Sequence, residues 1–261
     1  MSKEHERILK SMLGDVDPPL GEDETKRIAS ALKAFSVKQL QKMDNAGVRI
    51  WPFVKGLPPE YKITSVADLG SPAAYHYQFR TIRVSPTSLG RGAATDFLRH
   101  ELAHAWDDVR TDRKPTNLRK MKENARLDEF NRLAKEKAPF ESESGKKLPP
   151  GKKLTMQDML SAYKSNLAAL GDKTKSFAHP STADSHNAKD VKEFYAEGYS
   201  VFHGHSQESQ SRMLWLARDL FDYLEEEAKV YGLSPPPRKD LEKYLDDTEK
   251  GWRAWSGETK K

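Results

Sequence analysis

The apolar positions of this chain fall mostly at helical spacing. Ile28, Leu32, Phe35, Leu40 and Met43 recur every three to five residues, which predicts a helix over 22–46. Asn45-Ala46-Gly47 supplies its stop, and Val48-Arg49-Ile50-Trp51 follows as a short strand. Pro52, Pro58 and Pro59 then break the chain into loop. Residues 75–84 (Tyr-His-Tyr-Gln-Phe-Arg-Thr-Ile-Arg-Val) alternate in part and are rich in strand formers, so a second strand is expected there. After a Gly-rich turn at 90–92, Phe97, Leu98, Leu102 and Ala105 form the apolar stripe of the next helix, with Thr95 as one candidate cap.

The second half reads differently. Residues 117–137 suggest an exposed helix with a thin apolar side, 138–153 a linker rich in Glu, Ser, Lys, Pro and Gly, and 155–170 an amphipathic helix. A loop over 171–187 precedes helices at 189–203 and 207–231. The latter carries the strongest stripe in the chain: Met213, Leu214, Leu216, Ala217, Leu220, Phe221 and Leu224. Pro235-Pro236-Pro237 halts it before a last short helix. The expected fold class is α+β and mainly helical, with a small twisted sheet over the helix at 95–108 and a helical C-terminal part. No internal repeat is visible.

Composition narrows the setting. Of 261 residues, 36% are hydrophobic and 32% charged, and no run of 18 apolar residues could span a membrane. Residues 1–14 are amphipathic through Ile8, Leu9, Met12 and Leu13 and lack the apolar core of a secretory signal, so they read as an N-terminal extension. Localisation stays open, with export by a signal-independent route as one expectation. There are no cysteines, so any metal must sit on histidine and carboxylate. Net charge is +5, but residues 110–175 hold 17 Lys/Arg against 9 Asp/Glu, a surplus of 8 that leaves the rest at −3. Such a local surplus, without interleaved aromatics, argues for an inserted basic segment and against nucleic acid as a partner.

The candidate chemistry lies in His100-Glu101-Leu102-Ala103-His104-Ala105-Trp106-Asp107. On a helix His100 and His104 share a face and can direct two imidazoles at one ion. Glu101, rotated by about 100°, can reach a water on the open side of that ion and take its proton. Three protein ligands plus an open position is the catalytic pattern of zinc, so a third ligand is needed. The segment Lys192-Glu193-Phe194-Tyr195-Ala196-Glu197-Gly198-Tyr199 offers two carboxylates at i, i+4 among aromatics. Buried carboxylates are costly unless received, and an ion and an imidazole N–H would receive them. His203 and His205, as an H-x-H pair, are the competing ligands and would place the chain in a three-histidine class that includes DNA-associated proteases. His179 reads as structural or solvated.

Together the strings 100–108 and 193–199 resemble the catalytic domain of anthrax toxin lethal factor and the related Pro-Pro endopeptidases. That resemblance implies a zincin-like metallopeptidase domain over 15–255, one zinc ion, a protein or peptide substrate, and a secreted or delivered toxin or effector acting on a host protein. It makes His100, His104 and Glu193 the ligands, Glu101 the base, and Glu197 the support of a ligand. Two departures stand out. His104 and Glu193 are separated by 88 residues, about twice the family's usual spacing, which marks 111–180 as an insertion. Seven residues before Glu193, where the family keeps an oxyanion-supporting tyrosine, stands His186. An imidazolium could take that electrostatic part. Substrate backbone is expected along the strand near Thr81–Val84, adding to the sheet edge. A metal-binding module that has lost catalysis is the reading from a different class, against which the intact Glu101 argues.

Overall fold

The computed structural model describes residues 3–13, 20–52, 73–77, 80–84, 94–111, 154–170, 190–204 and 206–255, the side chains of 169–170 and 249–255 excepted. The expected helix over 117–137, the linker at 138–153, the loop at 171–187 and most of the 111–180 insertion lie outside the described residues, as do His179, His186 and His205. The chain divides into two units, residues 1–143 and 144–261.

The first unit contains α1 (Lys3–Leu13), α2 (Glu22–Leu32), α3 (Val37–Asn45), β1 (Arg49–Pro52), β2 (Ala73–His76), β3 (Thr81–Val84) and α4 (Ala94–Arg110). α1 buries Ile8, Leu9 and Met12, three of the four apolar positions named in the amphipathic segment 1–14, and packs on α2, α3 and β1. Where one helix over 22–46 is expected, two form. Ser36 caps α3 by accepting from the Gln39 N–H, and the Gln39 side chain accepts from the Ser36 N–H in return. This reciprocal pairing satisfies donors that a continuous helix would have used, and it ends α2 a few residues earlier.

The expected single strand over 75–84 is also two. β2 and β3 run antiparallel, with Ala73 opposite Val84 and His76 opposite Thr81. Arg80, in the left-handed region at φ 48°, makes the turn between them, its N–H bonded to the Tyr77 carbonyl. β1 pairs parallel to β3, giving the order β1-β3-β2. Ile50, Ala73, Ile82 and Val84 are buried. The period of two along each strand puts them on one face, with Arg49, Trp51, Ala74, His76, Thr81 and Arg83 on the other. α4 packs on β2 and β3 and on α2 and α3, burying Leu98, Leu102, Ala105 and Trp106.

The second unit is helical among its described residues: α5 (Met156–Leu170), α6 (Val191–Gly204), α7 (Gln207–Leu216), α8 (Arg218–Tyr231) and α9 (Arg238–Trp255). Thr155 caps α5 through the Asp158 N–H, and Asp190 caps α6 by accepting from the N–H groups of Lys192 and Glu193. The long helix expected over 207–231 breaks at Ala217, whose φ of −131° and ψ of 49° end α7 and begin α8. Both pieces meet α6. A β-carbon at Gly198 would come 2.4 Å from Leu220 of α8 and 3.3 Å from Met213 of α7, so both helices close on one bare stretch of α6. Gly232, at φ 72°, ends α8 where a left-handed residue is required. The last helix is not short, and Arg238 at its start reaches Asp222 and Glu225 of α8. Among the described residues, no helix is long and apolar enough to cross a membrane.

Gly198→Ala forces its new methyl into the Leu220 side chain. Overpacking of this kind typically costs about 1–3 kcal/mol, so urea unfolding of the variant should show a lower midpoint with an unchanged slope.

Candidate metal and catalytic site

α4 runs through the whole motif, and its geometry brings the two imidazoles together. The rings of His100 and His104 lie edge to face, 87° apart with centroids 4.7 Å apart. Their Nε2 atoms are 3.1 Å from each other. Two nitrogens held at zinc's usual bond length on a tetrahedron would stand about 3.3 Å apart. The same separation also suits an N–H···N bond in which one ring donates and the other accepts, so the pair is arranged for an ion or for a shared proton. His100, His104 and Glu193 form a group that could hold a metal ion: each offers one ligand atom, and these atoms lie within 4.8 Å of one another. Each of the three is half-buried. Two nitrogens and one oxygen without sulfur suit zinc and other borderline divalent ions.

Glu101 points away from the imidazole pair's own interaction and toward the sheet. Its Oε2 accepts the backbone N–H of Tyr75 at 2.6 Å. β2 is an outer strand of the described sheet, and this N–H goes to the motif helix rather than to a further strand. The expectation of substrate along Thr81–Val84 is thereby corrected. β3 is the central strand, its backbone paired with β1 on one side and β2 on the other, so it has no edge to offer. The strand beside Glu101 is β2. Its two-strand division went unread because the partial alternation over 75–84 masks the turn at Arg80. A non-glycine residue at positive φ leaves little trace in sequence.

At the end of α4, Asp107 pairs with Arg110 at 2.6 Å, both side chains less than 10% exposed. Asp107 therefore locks the last turn of the motif helix. Glu193 occupies the first turn of α6, just after its Asp190 cap, and Glu197 one turn later is buried at 7% exposure. Tyr195 faces elsewhere, donating its hydroxyl to Glu227 of α8 at 2.9 Å. His203 sits ten residues along α6 from Glu193, about 15 Å by helical rise. It packs against Tyr199 and Phe202. It is not part of the metal-capable group, which contains Glu193.

His76 is a residue the sequence did not single out. It follows Tyr75 on β2 and shares a sheet face with Arg83. Its Nε2 is enclosed and makes no hydrogen bond. Burial pushes its imidazole down to about 3, and the Arg83 cation pushes in the same direction. No motif marks such a residue; only the placement of β2 reveals it.

Comparison with protein-family models, curated proteins and solved structures gives no match to this chain.

The His76 environment predicts an acid sensitivity. The folded-state value, about 3, lies below that of an unfolded histidine, near 6.5. As pH falls below about 6.5 the unfolded chain takes up a proton that the folded chain refuses. Stability from this site is whole above that pH and drains toward pH 3, by up to about 1.4 kcal/mol per pH unit. Between pH 6.5 and 5 the wild type should lose about 1.5 kcal/mol more than His76→Gln, read by denaturant titration at each pH.

Proposed function

We propose that this chain is a zinc endopeptidase with a zincin-like catalytic domain, in which His100, His104 and Glu193 hold the ion. The observation that carries this reading is the 3.1 Å approach of two imidazole Nε2 atoms within one metal-capable group that includes a carboxylate. Zinc, when bound, would polarise a peptide carbonyl and make water acidic enough to attack it at neutral pH. The chain's own groups supply the remaining steps. Glu101 takes the proton from the attacking water and returns it to the leaving amine. Its Oε2 is steadied by the Tyr75 N–H, which leaves Oε1 to face the water. Glu197, buried one turn from Glu193, orients a ligand by accepting an imidazole N–H. His186 donates to the oxyanion in place of a tyrosine.

The substrate is a protein or peptide laid in extended form beside β2, where a backbone edge adjoins Glu101. The resemblance of residues 100–108 and 193–199 to the lethal factor and Pro-Pro endopeptidase family supports this reading. It favours a toxin or effector that acts on a host protein. The basic 111–180 segment shapes substrate access or meets a partner.

Glu101→Gln separates the base from the metal. The variant should keep its zinc and lose cleavage of a degenerate peptide library by about 10²–10⁴-fold. A wild type that binds zinc yet cleaves nothing in the library or in cell extract proteins would make the chain a binding module instead. His186→Ala should lower kcat by about a hundredfold or more with unchanged zinc content, and His186→Tyr should restore part of it. Wild-type turnover in His186→Ala would assign the oxyanion donor elsewhere.

A further inference from the structure

α6 carries a buried polar bond that packing alone does not call for. The Tyr195 hydroxyl donates to Glu227 Oε2 at 2.9 Å, across 32 residues of sequence. Tyr195 is fully buried and Glu227 is 6% exposed. A carboxylate withdrawn from water is expensive, and a phenylalanine against a leucine would fill the same space more cheaply. What a buried directional bond adds is orientation, because it is satisfied in only one arrangement of the two helices.

The position of Tyr195 says which orientation is being set. It lies midway between Glu193 and Glu197 in sequence, so at about 100° per residue it projects from the side of α6 opposite to both carboxylates. Two neighbouring features fix the remaining freedoms of this helix. The Asp190 cap holds its first turn, and the contact of Gly198 with Leu220 and Met213 sets how closely it approaches α7 and α8. Packing of the buried run 194–202 holds its rotation about the axis to within side-chain play. A directional bond on the far side narrows that rotation further. A glutamate carboxylate stands roughly 6 Å from its helix axis, so a rotation of about 10° displaces it by about 1 Å. Metal ligands tolerate only about 0.2 Å.

We propose that the Tyr195–Glu227 pair is the positioning device for Glu193: it sets the rotation of α6 and thereby aims the carboxylate ligand. Tyr195 and Glu227 are positioning residues, acting through the helix and touching neither ion nor substrate. The proposal rests on the metal-binding reading above, and it extends the site's working parts to a contact within the second unit.

The test compares metal affinity with the stability of the metal-free protein. Zinc affinity of the full chain is measured by competition with a chromophoric chelator, the ligand field by the visible spectrum of the cobalt(II) form, and folding by thermal unfolding without metal. Tyr195→Phe should weaken zinc binding by about 10–100-fold and shift the cobalt spectrum, with helical content retained and the metal-free transition moving little. Glu227→Gln keeps an oxygen that accepts from the tyrosine hydroxyl, so it should bind zinc within a few-fold of wild type; Glu227→Leu should behave like Tyr195→Phe. Wild-type affinity and spectrum in both Tyr195→Phe and Glu227→Leu would overturn the proposal while leaving the metal site standing. An affinity loss matched by equal loss of metal-free folding in all three variants would also overturn it, since the pair would then be structural. A wild type that binds neither ion would instead remove the metal reading itself, and this proposal with it.

Discussion

The spacing of two histidines on one helical face is the constraint on which the candidate metal site, and with it the proposed function, depends. Four residues along α4 bring the Nε2 atoms of His100 and His104 to 3.1 Å. Two imidazoles so close are arranged to share a proton or an ion, since a half-buried pair doing neither would set two polar nitrogens against each other. The helix that carries them, α4, is held on its apolar side and at its last turn. Leu98, Leu102, Ala105 and Trp106 bury its apolar side, and the Asp107–Arg110 pair closes its last turn. An i, i+4 ligand pair is only as good as the helix that carries it.

Around that helix the first unit uses backbone where side chains would be less exact. The Tyr75 N–H on β2 reaches Glu101, so the position of the proposed base depends on strand register rather than on a flexible partner. Register in turn depends on Ile50, Ala73, Ile82 and Val84 facing the core together, because a slip of one residue would turn them outward. His76, the next residue on β2, is pushed the opposite way, neutral and enclosed beside Arg83. The strand that steadies Glu101 thus carries an acid-sensitive residue directly after it. In the second unit a comparable economy appears in α6, where cap, glycine contact and tyrosine bond each remove a different freedom from the helix that bears Glu193 and Glu197.

The sequence shows the candidate metal ligands better than the chain path. The i, i+4 histidines and the two glutamates on α6 were legible because helical periodicity maps spacing directly onto a shared face. The structure groups His100, His104 and Glu193 as a set that could hold a metal ion. Element breaks were harder to read. The Ser36–Gln39 capping box was present in the sequence, yet the apolar stripe runs on past it from Ile28 to Met43 and conceals the break. The turn at Arg80 and the break at Ala217 have no local signal at all: one is a non-glycine residue at positive φ, the other an alanine inside a continuous apolar stripe. Reading β3 as the open edge was the costlier miss, because strand order is a long-range property that alternation within a single segment does not encode. His76 was invisible for the same reason.

X-ray absorption at the zinc edge of the full chain, loaded with zinc and dialysed, tests the central claim most directly. The account predicts one tightly held zinc per chain, with two imidazoles and oxygen donors at about 2.0–2.1 Å, and with the oxygen shell diminished in Glu193→Ala. A third imidazole in the zinc shell, or zinc that dialyses away from the folded wild type, would contradict it.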